Sequence, residues 1–407
     1  RRLRGGIPLG AVAAVLVGIL VASWVGLPND PLGPGTATAA EVQARVARAF
    51  ATVETLEGTL ASETAQVRIP EGATGELDSR TLPRAILEQE FSFATTSAGD
   101  FALDAADGSE RQAYAAADGT LRSVSVVEGS VFALEDRNTG VGPPDGAGTM
   151  WLLKRSLGSV VRAFLAERTD APVETVEHEG REAWHLSIDV DPTRYELTPD
   201  HLDITVDRQT GFPVEVTETR AGELVQRIRL RDLAVDRPID PARFRLEFPP
   251  GARVGSADAG FRRVAPEEAA AALGYQPPVP ASVPDGYEHT AVAVAGRSRS
   301  TGAEGMNPES RDVFGLSSRR GLDALTVTSR RTGDDPSAWT DPITAGEGSI
   351  THPATIRLRT GRFRGVEAEL VVEPGTPPHL WLRTDDLVVT VAGDVTREEL
   401  IRIAESF

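Results

Sequence analysis

The sequence predicts an α+β protein of two extracytoplasmic domains behind an N-terminal transmembrane helix. Three observations carry this. Short alternating apolar runs separated by Gly-bearing turns dominate the chain. A few stretches carry apolar residues at helical spacing. One long apolar run stands near the start, preceded by arginines.

That run is Ile7–Leu27, about 21 residues or roughly 31 Å as a helix, enough to cross a bilayer core. Arg1, Arg2 and Arg4 precede it and the next cation is Arg45, so the positive-inside rule puts residues 1–6 in the cytoplasm and the rest outside. The competing reading is a cleavable signal peptide, with Ala37-Thr38-Ala39 as the small-x-small site. The length of the apolar core and the prolines at 28, 31 and 34 favour the anchor. Residues 28–40 read as a Pro/Gly linker.

Glu41–Leu56 follows with Val42, Val46, Phe50, Val53 and Leu56 near helical spacing. Leu60–Ile69 is a first strand. Phe91/Phe93 and Phe101/Leu103 lie on further strands, and Arg111–Ala116 and Leu121–Val127 flank the hairpin signal Asp118-Gly119. Val131–Leu134, including Phe132, is another. Arg137–Thr149 is a long Gly/Pro loop. Met150–Glu167 reads as an amphipathic helix with Leu153, Leu157, Val160, Val161, Phe164 and Leu165 on one stripe. Val173–Glu177 and Ala183–Val190, the latter carrying Trp184 and Leu186, flank a turn at Glu179-Gly180.

Leu202–Val254 is the most regular stretch. Leu202, Ile204 and Val206 alternate with polar residues, Asp207–Gly211 turns, and Pro213 opens a strand with Val214 and Val216 on one face. After Ala221–Gly222, Leu224, Ile228 and Leu230 face in, while Arg227, Arg229 and Arg231 face out. Phe244, Leu246 and Phe248 close the segment before Pro249–Pro250–Gly251. Residues 254–261, containing the Gly/Ser/Ala run GSADAG, read as a linker that separates domain 41–253 from domain 262–407.

The second domain opens with a short Ala-rich helix, Pro266–Leu273, and the Pro-rich stretch Pro277–Gly286. Strand-like runs follow at His289–Ala295, Leu325–Ser329, Ile356–Arg359, Val366–Val372, Leu380–Arg383 and Leu387–Val391. A last helix is announced by a Thr396–Glu399 capping box, with Leu400, Ile403, Ala404 and Phe407 on one face.

Composition narrows the chemistry. A net charge of −18 over 407 residues argues against a nucleic-acid partner. There are 0 cysteines, which removes disulfides, thiol catalysis and thiolate metal sites. The six histidines are scattered. His178 and His185 bracket a turn rather than one helix face, so they do not form a metalloprotease motif. No nucleotide-binding Gly-rich loop and no G-x-S-x-G elbow is present. The expectation is a protein with no enzyme activity, no cofactor and no metal.

The order of strands and turns in Leu202–Val254, with "DRQTGFPVEV" and "DLAVDRPIDPARFRLEFPPGA", resembles the end of the lipoprotein-carrier fold shared by LolA and RseB/MucB. Glu41–Leu56 leading into a first strand resembles the opening of that fold. The ends of the second domain, "LGYQPPVPASVPDGY" and "VVTVAGDVTREELIRIAESF", resemble a small C-terminal domain of bacterial envelope and sporulation proteins. The resemblance implies a curved half-barrel antiparallel sheet with packed helices, and a hydrophobic cavity that takes acyl chains. The cavity wall it implies is Phe91, Phe93, Phe101, Leu103, Phe132, Leu153, Leu157, Val161, Phe164, Trp184 and Leu186, with Arg137–Thr149 as a lid. The competing reading of the same side chains is a filled core. The implied function is a membrane-anchored binding protein for a lipid or lipoprotein acyl chain that regulates an envelope partner such as an anti-sigma factor. A carrier or chaperone without signalling, and a structural envelope scaffold, remain the alternatives.

Overall fold

The computed structural model describes residues 37–67, 84–117, 119–127, 129–137, 170–189, 200–258, 261–295, 313–332, 354–372 and 378–407. No helix among them is long and apolar enough to cross a membrane, and Ile7–Leu27 lies outside them. So does Met150–Glu167 with its four assigned wall residues, together with nearly all of the loop expected to be a lid.

The chain opens on α1 (Ala39–Thr52). Thr38 caps it, accepting from the Glu41 N–H at 3.3 Å, while the Glu41 carboxylate accepts from the Thr38 N–H at 2.7 Å. The helix therefore starts two residues before the expected Glu41. The Ala37-Thr38-Ala39 triplet is part of this cap, with both alanines buried. The helix also stops earlier than expected, because Val53 is extended and the Glu54 N–H is taken by Asp236 at 2.8 Å.

Twelve strands form the first sheet: β1 (Thr55–Val67), β2 (Arg84–Thr96), β3 (Phe101–Ala105), β4 (Glu110–Ala115), β5 (Thr120–Val127), β6 (Ser130–Arg137), β7 (Val173–His178), β8 (Arg181–Asp189), β9 (His201–Asp207), β10 (Pro213–Arg220), β11 (Glu223–Val235) and β12 (Arg253–Asp258). Their spatial order is β12-β6-β5-β4-β3-β2-β1-β11-β10-β9-β8-β7, an open sheet in which the long β1 joins two meanders. The turns Glu179-Gly180 and Ala221-Gly222 have positive φ at both residues, the geometry that matches strand twist in two-residue hairpins.

One helix and seven neighbouring strands, β3 to β8 along that order, share a single core. At 4.8 Å per strand, a flat sheet of this width would outrun a helix about 10 Å across, so the sheet curls around α1. A bulge opposite Gly58 helps the bend: Glu57 and Thr59 pair with Ala234 and Arg231, leaving two residues of β11 facing one of β1. A Cβ at Gly58 would lie 2.8 Å from the Arg231 carbonyl oxygen, which is why glycine stands there.

The face away from α1 is charged over β11, as alternation requires. Arg227 and Arg229 pair with Glu63, and Arg231 lies 3.7 Å from Glu90. Towards β3 and β4 this outer face is covered by the 3-10 turn Pro241–Phe244 and by Leu246, which bury Ala94, Ala102, Ala113, Val124 and Ala133.

The stretch 254–261 is not the loose join expected. Residues up to Asp258 continue as β12, parallel to β6, and the second sheet begins at Phe261. Parallel pairing needs only backbone groups, so small residues suffice: Gly255 leaves room for Leu134 beside it.

Eight strands form the second sheet: β13 (Phe261–Arg263), β14 (Glu288–Ala295), β15 (Val313–Arg320), β16 (Asp323–Arg331), β17 (Ala354–Arg357), β18 (Glu367–Val371), β19 (His379–Arg383) and β20 (Leu387–Gly393), ordered β13-β14-β15-β16-β20-β19-β18-β17 and antiparallel throughout. α2 (Ala269–Leu273) and α3 (Arg397–Glu405) pack on one face of it. Thr396 and Glu399 form the expected capping box on α3.

Candidate acyl-chain site

The face of the first sheet that carries α1 is the inner face. Over β1–β3 and β8–β11 it is sealed. Val42, Val46 and Phe50 of α1 meet Leu56, Leu60, Phe91, Phe93, Leu103, Trp184, Leu186, Ile204 and Ile228 in one cluster. Phe50 also meets Phe212 edge to face at 4.9 Å. Phe91, Phe93, Leu103, Trp184 and Leu186, five of the wall residues the sequence singles out, therefore lie together as closed core rather than as an open surface. Phe93, for example, is 1% exposed.

Register carries the inner face beyond α1. Leu103 pairs with Gln112 and Phe101 with Tyr114, then Tyr114 pairs with Leu121 and Gln112 with Ser123. Phe101, Tyr114 and Leu121 form a second small cluster, the two rings stacked at 5.6 Å. Across β5 and β6, Leu134 sits opposite Ser123 and Phe132 opposite Ser125, and Val127 follows on the same face. Here the seal ends. Phe132 is 55% exposed, and Val127 and Leu134 are exposed beside it. Phe132 is thus the one described wall residue that presents its ring to solvent.

The strip also has a polar edge. Gln112 is buried on this face, and its Oε1 has no hydrogen-bond partner although its Nε2 donates to Glu110. On α1 the buried Gln43 Nε2 is likewise unpartnered. Sequence reasoning named Phe132 but missed Leu134, Val127 and Gln112. The signal for the first two was their parity with Phe132 across a hairpin. Gln112 carried none, because a polar residue on a half-buried strand reads as outward-facing.

Among the described histidines, His185 and His201 serve the sheet. His201 Nδ1 lies 2.8 Å from Asp189 and its Nε2 3.0 Å from Ser187 Oγ, while His185 Nε2 lies 3.5 Å from Asp203. Among the described residues no three His, Asp or Glu side chains are placed to hold a metal. The hydrogen bond to Asp189 raises the His201 pKa, with Asp203 adding to it against a loss from burial. A raised folded-state pKa gives stability that is full below the ordinary value of 6.5 and lost as pH rises through the higher one. An NMR titration should therefore place the His201 midpoint above 6.5, and Asp189→Asn should bring it down.

No family model and no curated protein matches the chain. Among solved structures it matches MucB at 16% identity and a TM-score of 0.29, over 92% of this chain and 98% of MucB. MucB in complex with MucA(peri) matches at 16% identity and a TM-score of 0.27, over 90% of this chain and 97% of that one. A LolA superfamily protein from Nitrosomonas europaea matches at 8% identity and a TM-score of 0.20, over 52% of this chain and 98% of its own. The solved structures to which this chain is similar thus include proteins of the MucB and LolA-superfamily kind.

Proposed function

We propose that the chain is a non-enzymatic binding protein of the cell envelope that takes a lipid or lipoprotein acyl chain on the inner face of its first sheet. The observation that carries this is the strip Val127, Phe132 and Leu134, exposed on the same face that elsewhere is sealed by α1, and running into the Phe101–Tyr114–Leu121 cluster. Contiguous exposed apolar side chains mark a binding surface more often than scattered ones do. The strip spans a single strand pair, so it suits a chain-like ligand better than a flat partner. Burying each methylene there is worth roughly 0.8 kcal/mol, enough to compete with a bilayer for part of a chain.

On this reading Ile7–Leu27 anchors the protein in the membrane, with both sheets on the outer side. The state of the site is passed to an envelope partner such as an anti-sigma factor, as the resemblance of Leu202–Val254 implies.

The test is a titration of the full chain with a fluorescent fatty acid. Phe132→Asp should weaken binding at least tenfold with little change in melting temperature, because more than half of Phe132 is exposed in the free protein. That loss corresponds to the roughly 1.5–3 kcal/mol of one buried large apolar side chain. Phe132→Leu should keep most of the affinity. A wild-type chain that binds no fatty acid, or a Phe132→Asp variant that binds as well as wild type, would exclude this site.

A further inference from the structure

α1 does not finish itself. The last carbonyls of a helix lack partners within it and are usually met by a glycine in left-handed conformation or by a basic side chain. Here the residue after the helix, Val53, is extended, and no basic residue stands in the last turn. The partner comes from the second domain. The turn between β15 and β16 reaches across so that the Leu322 N–H donates to the Phe50 carbonyl at 2.9 Å.

The seat is close-fitting. Leu322 is 2% exposed, and its side chain belongs to the core around α1 and not to the core of its own sheet. Gly321 has φ +56, and a Cβ there would stand 2.5 Å from the Phe50 carbonyl oxygen and 2.6 Å from that of Ala51. Only glycine fits on both counts.

Beside this turn, Arg319 enters a notch in the first domain. Its guanidinium occupies the place where Gly99 would carry a side chain. Tyr114 and Asp100 of the first domain and Asp394 of the second act on it electrostatically. Its Nη1 is out of reach of solvent and has no hydrogen-bond partner. Burial lowers its pKa against the pull of these groups. Two carboxylates against one guanidinium leave no excess positive charge, so the notch is not an anion site. It is a fastening. Arg263 adds a second point, donating to the Ala116 carbonyl at 2.7 Å. Tyr114 belongs to the strip cluster, so the fastening touches the inner face directly.

We propose that the second domain is a releasable clamp on α1: its Arg319–Asp323 turn supplies the N–H that the Phe50 carbonyl accepts, and undocking it frees the end of α1 and opens the part of the inner face that α1 seals. The clamp stands on the geometry alone; only the identity of what enters rests on the acyl-chain reading. A clamp made of one hydrogen bond to the helix end, one leucine and two arginines is small enough to be released by a partner that binds the second domain.

Hydrogen exchange on the full chain tests it, in wild type, Gly321→Val and Arg319→Met. Both variants should exchange the amides of Ala39–Thr52 at least tenfold faster, with β18–β20 as protected as in wild type, and should bind a fluorescent fatty acid more tightly. If Gly321→Val also loosens β18–β20, Arg319→Met decides, since it adds no steric load. Unchanged α1 protection in Arg319→Met with the second sheet intact overturns the clamp. Faster α1 exchange with no fatty-acid binding by any form retains the clamp and removes the acyl-chain reading. Binding at one affinity in all forms, with α1 loosened, overturns control of access.

Discussion

Phe93→Asp should unfold the first domain. Its ring is 1% exposed between β1, β3 and α1, in the centre of the larger core. Removing a buried phenyl ring costs about 3–5 kcal/mol in lost apolar burial and the cavity left behind. An unpaired carboxylate in the same place adds a desolvation penalty of several kcal/mol more. The sum reaches the whole stability of an ordinary domain, about 5–15 kcal/mol. Circular dichroism and thermal melting check it: the variant should lose near-UV signal and the cooperative transition of the first domain. The contrast with Phe132→Asp is what matters. Two phenylalanines that are both large apolar strand residues in the sequence should give opposite outcomes, one structural and one confined to binding.

Gly361→Ala should give the largest loss in the second domain. The turn from Arg359 to Phe363 clasps the end of α3. The Arg359 N–H donates to the Glu405 carboxylate at 2.6 Å, the Arg362 N–H to the Phe407 carbonyl at 2.7 Å, and Phe363 meets Phe407 edge to face at 5.7 Å. Gly361 lies at φ +74, and a Cβ would stand 2.4 Å from the Glu405 carbonyl oxygen. Left-handed strain costs on the order of 1 kcal/mol for alanine, and displacing the helix end adds the loss of its clasp, about 3 kcal/mol in all. A melting temperature lower by about 10 °C is the expected result. Calorimetry that shows a change below about 2 °C would mean that α3 is held mainly by Leu400 and Ile403.

Much of the fold was legible because alternation and turns fix strands locally. Leu202–Val254 forms its strands where period-2 patterning places them, with Arg227, Arg229 and Arg231 outward, and the capping box at Thr396 marks the start of α3. What stayed hidden was decided by distant parts of the chain. β15 reads as polar because Gly315, Ser317 and Ser318 interrupt it, yet these small residues are buried. β12 was hidden because its pairing with β6 uses backbone groups alone. The seat of Leu322 was hidden for a related reason. A leucine between Gly321 and Asp323 reads as an ordinary hairpin tip, and only the tertiary fold shows that the tip ends a helix more than 250 residues earlier.

The candidate site divides in the same way. Size and hydrophobicity selected Phe91, Phe93, Phe101, Leu103, Phe132, Trp184 and Leu186, and all of them except Phe132 are buried. The property that separates a core from a binding face is whether something already covers it. That depends on how far α1 reaches along the sheet, which no local pattern encodes.

On the acyl-chain reading, the ligand lies along β5 and β6 on the inner face. Photo-crosslinking of the full chain with a diazirine-bearing fatty acid, followed by peptide mapping, tests it most directly. Labels concentrated on the peptides holding Tyr114, Leu121, Val127, Phe132 and Leu134, and competed away by unlabelled fatty acid, are the result expected. Labels confined to Ile7–Leu27, or spread over both sheets without competition, would contradict it.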